Sequence, residues 1–373
     1  MTATIKPVVI IVGENRTPIW GMTNAERIRR IAAKQGLVYD WGDGPRLLVD
    51  ARYAFDPPLL RHVARRPHSV VVHDGRPVIA HVPDHGICKI VAEAIAAGAP
   101  LPDDHGLEVI AHQEGFTLYN DELRKREQPF LMRLMPENVR KIERASYYAA
   151  YKGVTDILTK YLWPEAALVL TRIAARLHIS PNMVTAIGAA LCLLATWLFW
   201  EGRYWEGMAA GLVFMVLDTV DGKLARCTVT SSGWGEFFDH GIDLVHPPFW
   251  WWAWGVGLSA WGLALSDELF AIVLAVIVGG YVAQRLIEGA FIKRFGMHIH
   301  VWERLDSDFR LITARRNPNM VILFVAMIFE RPDIGLIAVA AWTALSLLFH
   351  FARLLQAEAR RRVGLEVVSW LGA

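Results

Sequence analysis

From about position 180 onward the chain is a succession of long apolar runs separated by short polar stretches, a pattern that admits little besides helices crossing a membrane. A crossing helix needs about 20 mostly apolar residues. Six spans are expected, at roughly 182–200, 205–225, 237–261, 267–292, 317–330 and 334–353. The second and third carry acids at one end, and the fifth is short. The turns near Glu201–Arg203, Asp267–Glu268 and Glu330–Asp333 are poor in Lys and Arg. The opposite side gathers Lys293, Arg294, Arg304, Arg310, Arg315 and Arg316, and the tail adds Arg360, Arg361 and Arg362. Cations collect on the cytoplasmic side, so both termini are expected there. Trp200 and Trp205 flank the first outer turn, where interfacial aromatics belong.

Hydrophobic residues are 54% of the 373, but the first ~140 residues have the mix of a soluble domain. The opening MTATIKPVVIIVGENR is too short in apolar length for a signal peptide and reads as a first strand over Val8–Val12, ending at Gly13. Thr23 and Glu26 form a capping box for a helix that Gly36 stops. Leu47–Val49 is a second strand. SVVVHDGRPVIAHV is two strands turned at Asp74-Gly75. A helix over Lys89–Ala97 ends at Gly98. Strands alternating with helices predict a mostly parallel sheet. The stretches 118–130 and 135–153 are charged and expected to be helical or linking, and 154–179 has the apolar spacing of a helix lying in the membrane interface. The expected organisation is thus an α/β cytosolic domain over 1–135, a linker with an interfacial amphipathic helix over 136–180, an all-α six-helix transmembrane domain over 181–356 and a basic tail over 357–373. Cys88, Cys192 and Cys227 form no CxxC, which argues against a disulfide framework or a thiolate zinc site. A formal net charge of +2 says little about partners, and no nucleic-acid partner is expected.

The chemistry lies in LDTVDGKLARCTVTSSGWGEFFDHGID. Asp218 and Asp221 share a helix face, with Gly222 one turn from Asp218. Gly235, Asp239 and Asp243 share a face of the next helix. Two antiparallel helices joined near 227–234 can point four carboxylates at one another. Such a cluster at a membrane edge is costly without cations, and the sequence places no matching basic residue on those faces. Oxygen ligands without His or Cys suit Mg²⁺ or Mn²⁺, and two such ions suit phosphoryl transfer. Gly222 leaves room for a phosphate, Ala225 keeps the next turn clear, and Arg226 offers a fork to a diphosphate.

These residues satisfy D-x2-D-G-x2-A-R-x8-G-x3-D-x3-D at every specified position, and over roughly 150–355 the chain resembles the CDP-alcohol phosphotransferase family. ISPNMVT before the first span is similar to the family's lead-in. The resemblance implies six transmembrane helices, a cytosol-facing site and frequent dimers. It implies that Asp218, Asp221 and Asp239 hold one metal, that Asp218, Asp239 and Asp243 hold a second, and that Asp243 is the general base. Gly222, Ala225, Arg226 and Gly235 would line the CDP site. The implied reaction moves a phosphoalcohol from a CDP-linked donor to an acceptor hydroxyl and releases CMP, within phospholipid or related phosphodiester synthesis. CDP-diacylglycerol and a soluble CDP-alcohol such as CDP-inositol are both open as donors.

The first domain resembles the sugar-nucleotidyltransferases in degenerate form, with VGENRTPIWG where a glycine-rich loop would stand and Asp50 where a metal-binding Asp would. A structural or docking role is its expected use. Asn182 is a candidate for the nucleotide, with N-capping as its bland alternative. Arg285, Lys293, Arg294, Arg310, Arg315 and Arg316 are candidates for an acceptor bearing phosphate, although the last five also satisfy the positive-inside pattern, and Arg285 has Glu288 one turn on. His240, His246 and Trp250–Trp252 read as packing residues. The rival classes are a divalent-cation transporter, to which Arg226 beside the acids would bring nothing, and an inactive membrane scaffold, which the intact motif argues against.

Overall fold

The computed structural model describes residues 7–39, 44–112, 115–120 and 122–372. By packing, these divide into two units, which are taken in turn. The first unit runs to Tyr151 and includes Arg172–Ile179 and Lys223–Thr230. The second comprises Lys152–Thr171, Ser180–Gly222 and the chain from Ser231 onward.

In the first unit the chain order is β1 (Val8–Val12), α1 (Asn24–Lys34), β2 (Val38–Tyr39), β3 (Arg46–Asp50), β4 (Tyr53–Phe55), α2 (Pro57–Ala64), β5 (Ser69–His73), β6 (Arg76–Val82), α3 (His85–Ala97), β7 (Glu108–Ala111), β8 (Leu118–Asn120), β9 (Lys125–Glu127), β10 (Leu131–Arg133) and α4 (Val139–Ala149). The main sheet has the order β2-β1-β3-β6-β5-β7. It is mixed and, as expected, mostly parallel: β1 lies parallel to β2 and β3, and β5 to β7, while β6 is antiparallel to both neighbours. The hairpin is the cause. Asp74 and Gly75 both take positive φ, 51° and 73°, as a two-residue turn matched to strand twist requires, and this folds β6 back against β5. Side-chain alternation then separates two cores. Leu47 and Val49 face Ile28, Ile31, Leu59 and Leu60 on α1 and α2, while Leu48 faces Val91 and Ile95 on α3.

Two local expectations change, and one element is added. α2 is a segment that sequence reading leaves unassigned; Pro57 and Pro58 sit in its first turn, where a missing N–H costs nothing. α3 begins at His85, since Asp84 caps it through Gly86 N, and it ends as expected at Gly98 with φ 65°. The charged stretch 118–130 contains the β8–β9 hairpin and not a helix.

The remaining helices are α5 (Pro164–Arg176), α6 (Pro181–Trp200), α7 (Tyr204–Cys227), α8 (Gly233–Gly257), α9 (Asp267–Phe295), α10 (Arg304–Arg310), α11 (Arg316–Ile328) and α12 (Pro332–Arg362). α5 is not a continuous helix from 154: a π turn over Leu158–Leu162 precedes it and the chain breaks at Trp163, φ −118°, because Pro164 bars helical backbone before it. Helices stand at all six expected segments. Three of them, α6, α9 and α12, are long and apolar enough to cross a membrane. α7 and α8 carry the acids, and α11 is short. α9 packs along α12, with Gly280 against Thr343, and α6 along α8. The helix ends remote from the acids are fastened by aromatic donors. Tyr204 Oη donates to Trp254 O at 2.6 Å, Trp261 Nε1 to Gly202 O at 2.7 Å and Trp254 Nε1 to Pro332 O at 3.1 Å.

Candidate active site

At the other end of these helices, Thr185 and Gly188 of α6, Phe214, Asp218 and Asp221 of α7 and Ile242 of α8 line a narrow cleft. Asp221 is buried, and its Oδ2 accepts from Thr185 Oγ1 at 2.6 Å while its Oδ1 accepts from Gly222 N. Asp218 and Asp243 are bridged by one guanidinium. Arg316 donates from Nη2 to Asp218 Oδ2 at 2.8 Å and from Nη1 to Asp243 Oδ1 at 2.7 Å. Its Nε donates to Asn317 Oδ1, and its plane lies over the Phe214 ring at 4.8 Å. Asp218 of α7 and Asp243 of α8 therefore lie on either side of one cation. That cation comes from neither of the two helix faces. Arg316, 73 residues beyond Asp243 in the chain, supplies it from the first position of α11.

Asp243 is further placed by its own helix. Pro247 and Pro248 lie inside α8 and cannot donate to the carbonyls one turn back, those of Asp243 and Leu244. Tyr281 Oη of α9 donates to both, at 3.4 and 3.1 Å. Asp239 lies on α8 one turn before Asp243; the side chains of Asp239 and His240 are outside the described residues. His246 is a packing residue, as expected, with Nδ1 at Ile242 O and its ring between Phe214 and Trp250. Trp250 and Trp251 are buried.

Sequence reasoning missed Thr185, Tyr281 and the bridging role of Arg316. Thr185 has a signal, since it falls one turn after Asn182 on the same helix. So does Tyr281, because prolines inside a span free two carbonyls that a neighbouring donor must satisfy. The Arg316 bridge has none in local spacing.

Among the CDP-site residues, Asn182 and Gly235 are brought together: a Cβ on Gly235 would lie 3.0 Å from Asn182 Oδ1. Asn182 is not the N-cap of α6. That is Ser180, which accepts from Met183 N. Gly222 follows Asp221. Ala225 and Arg226 lie in the last turn of α7, within the first unit. There Arg226 Nε and Lys223 Nζ both donate to Ala150 O at the end of α4, each at 3.1 Å. The acceptor candidates separate. Arg285 and Arg315 share the buried Glu288, and Arg315 also reaches His300. Arg310 acts on Asp156. Arg294 pairs with Glu358, and Lys293 is exposed. In the first unit, Asp50 is 1% exposed and bound bidentately by Arg52, at 2.9 and 2.8 Å. Arg52 also donates to Ile95 O and Ala96 O at the end of α3. Asp50 thus anchors a helix end through Arg52.

The donor chemistry of the cleft fits a hard divalent cation: Asp218, Asp221 and Asp243 offer oxygen only. Among the described residues no three His, Cys, Asp or Glu are gathered as a ready-made metal cluster.

Residues 178–349 match the sequence profile described as CDP-alcohol phosphatidyltransferase. The chain is 28% identical over 193 residues to the archaetidylinositol phosphate synthase of Pyrococcus horikoshii, covering 48% of this chain and 88% of that protein. It is 31% identical over 123 residues to cholinephosphotransferase 1 of Xenopus laevis, covering 30% of this chain and 29% of that one. Over 82 residues it is 32% identical to the phosphatidylinositol phosphate synthase of Cutibacterium acnes, 22% of this chain and 40% of that one. The chain thus spans most of the archaeal relative but well under half of the other two. The matched segment, 178–349, holds the cleft, and over it the chain is similar to the CDP-alcohol phosphatidyltransferase family, whose members are transferases of phosphate-containing groups.

Proposed function

We propose that this protein transfers a phosphoalcohol from a CDP-linked donor to an acceptor hydroxyl and releases CMP, from a site made by α6, α7, α8 and α11. The observation that carries this is the apposition of Asp218 and Asp243 across α7 and α8, with Asp221 beside them in the cleft. Asp218, Asp221, Asp239 and Asp243 would hold two Mg²⁺ or Mn²⁺ ions, whose charge offsets that of the diphosphate and the departing CMP. Asp243 takes the proton of the acceptor hydroxyl. The freed oxygen forms a bond to the phosphorus bearing the alcohol, and the bond from that phosphorus to the oxygen of CMP breaks. Asn182, Gly222, Ala225, Arg226 and Gly235 would receive the nucleotide.

The six helices α6, α7, α8, α9, α11 and α12 are read as spans, with termini and cleft on the cytoplasmic side. Each turns a large apolar side chain outward: Leu193, Leu212, Phe249, Leu286, Phe324 and Leu348 are between 45% and 72% exposed, which water would penalise and lipid does not. α5, with Val169, Leu170 and Ile173 exposed, is read as lying in the interface. Arg285 and Arg315 direct two guanidinium charges at the single carboxylate of Glu288, which favours an acceptor carrying an anionic group such as phosphate. A homodimer in the membrane and a structural role for the α/β unit complete the reading.

The test is CMP release by purified protein given CDP-diacylglycerol or CDP-inositol with a panel of polyol and polyol-phosphate acceptors. Release is expected with Mg²⁺ or Mn²⁺, to stop with EDTA and to return on adding the metal back. A folded sample that releases no CMP from any pair overturns the proposal.

A further inference from the structure

Arg316 is built into the acidic cleft more firmly than a residue waiting for a substrate need be. All three nitrogens of its guanidinium are engaged, by Asp218, Asp243 and Asn317, and the Phe214 ring supports its plane. Asn317 is itself fixed, donating from Nδ2 to Asp156 Oδ1 at 3.0 Å and to Thr159 Oγ1 at 3.3 Å. Only 11% of the Arg316 side chain is exposed. The two carboxylate oxygens it uses come from the two helices that the proposed metal ions would bridge.

We infer that Arg316 is a built-in counter-cation that weakens metal binding until the nucleotide arrives, so that metal and CDP-linked donor bind interdependently. The inference rests on the proposed assignment of Asp218 and Asp243 as metal ligands. A divalent ion sharing those carboxylates must draw on oxygens already bonded to Arg316 and must accept its positive charge as a close neighbour. Both effects oppose binding of the ion alone. A diphosphate changes the balance, because it offers the guanidinium new oxygens of suitable geometry and adds negative charge beside the ion. Each ligand then favours the other by the same factor, as linkage requires. Arg316 acts here through Asp218 and Asp243 and is a positioning residue.

The experiment is Mn²⁺ binding to the full-length purified protein, followed by electron paramagnetic resonance of free Mn²⁺, with and without CDP. In the wild type, CDP is expected to tighten Mn²⁺ binding by about ten-fold or more. In Arg316→Ala, Mn²⁺ without CDP is expected to bind about ten-fold tighter than in the wild type, and most of the response to CDP disappears. An Arg316→Ala protein that is folded and binds Mn²⁺ no tighter than the wild type overturns the inference. Should that variant fail to fold, Arg316→Lys decides, since a single ammonium cannot bond both carboxylates in the same fork. Tighter Mn²⁺ binding with a weaker CDP response supports the inference, and unchanged binding and response overturn it. Failure of the functional reading gives a different result: no Mn²⁺ bound by the wild type with or without CDP, or binding that Asp218→Asn leaves unchanged.

Discussion

Asp243 shows how a single residue's place can be written at several points in a chain. Its spacing from Asp239 puts it on the right face, Pro247 frees its carbonyl, and Tyr281 and Arg316 hold it from two other helices. A carboxylate so placed is suited to take a proton, and an amide cannot. Asp243→Asn should lower the rate of CMP release by about 100-fold or more, with Mn²⁺ still bound through the remaining acids. Turnover near the wild-type rate would show that another group is the base. At this scale the acids were legible, because i, i+3 and i, i+4 spacing is a local property of helices. Arg316 was not legible as their partner, because meeting Asp218 depends on α11 folding back over 98 residues of chain. Asp50 was legible only as a carboxylate; that Arg52 occupies it follows from the turn after β3.

The elements themselves were read where local signals agree and misread where they compete. Asp74-Gly75 fixes its hairpin, and the same turn sets β6 antiparallel within the mostly parallel sheet that strand–helix alternation predicts. Prolines shape two places that helical spacing does not express, the first turn of α2 and the break at Trp163. Helix contacts add a constraint that hydropathy does not express. A Cβ on Gly280 would lie 2.6 Å from Thr343 Cγ2, so α9 and α12 approach closely only because that position is bare. Gly280→Val should destabilise the helical unit by about 1–3 kcal/mol, with Gly279→Val, where a Cβ meets open space, as the control. Thermal unfolding in detergent measures both. Equal melting temperatures for the two variants would mean that the close approach is not maintained.

At the scale of the whole molecule, the two units should respond differently to pH. Asp56 in the α/β unit is 7% exposed and makes no capping bond to α2. Burial, with Glu127 acting in the same sense, pushes its carboxyl up from 3.8 to about 7. The folded unit keeps this proton up to about pH 7, whereas the unfolded chain releases it near 3.8, so folding takes up a proton between those values. The contribution is complete below the unfolded value and is lost as pH rises to about 7, at up to about 1.4 kcal/mol per pH unit. Unfolding of the α/β unit should therefore occur at lower temperature at pH 7.5 than at pH 5, and Asp56→Asn should remove most of that difference. A wild-type transition that ignores pH in this range would refute the assignment.

The aromatic fastenings at Gly202, Trp254 and Pro332 have a mechanical consequence. They make that end of the helical unit a fulcrum. From Tyr204, α7 runs about 20 Å to Asp218, so a tilt of about 5° moves the carboxylate by roughly 2 Å. Any small rocking of these helices about that end would open or close the gap where the acids stand, with the fastened end scarcely displaced.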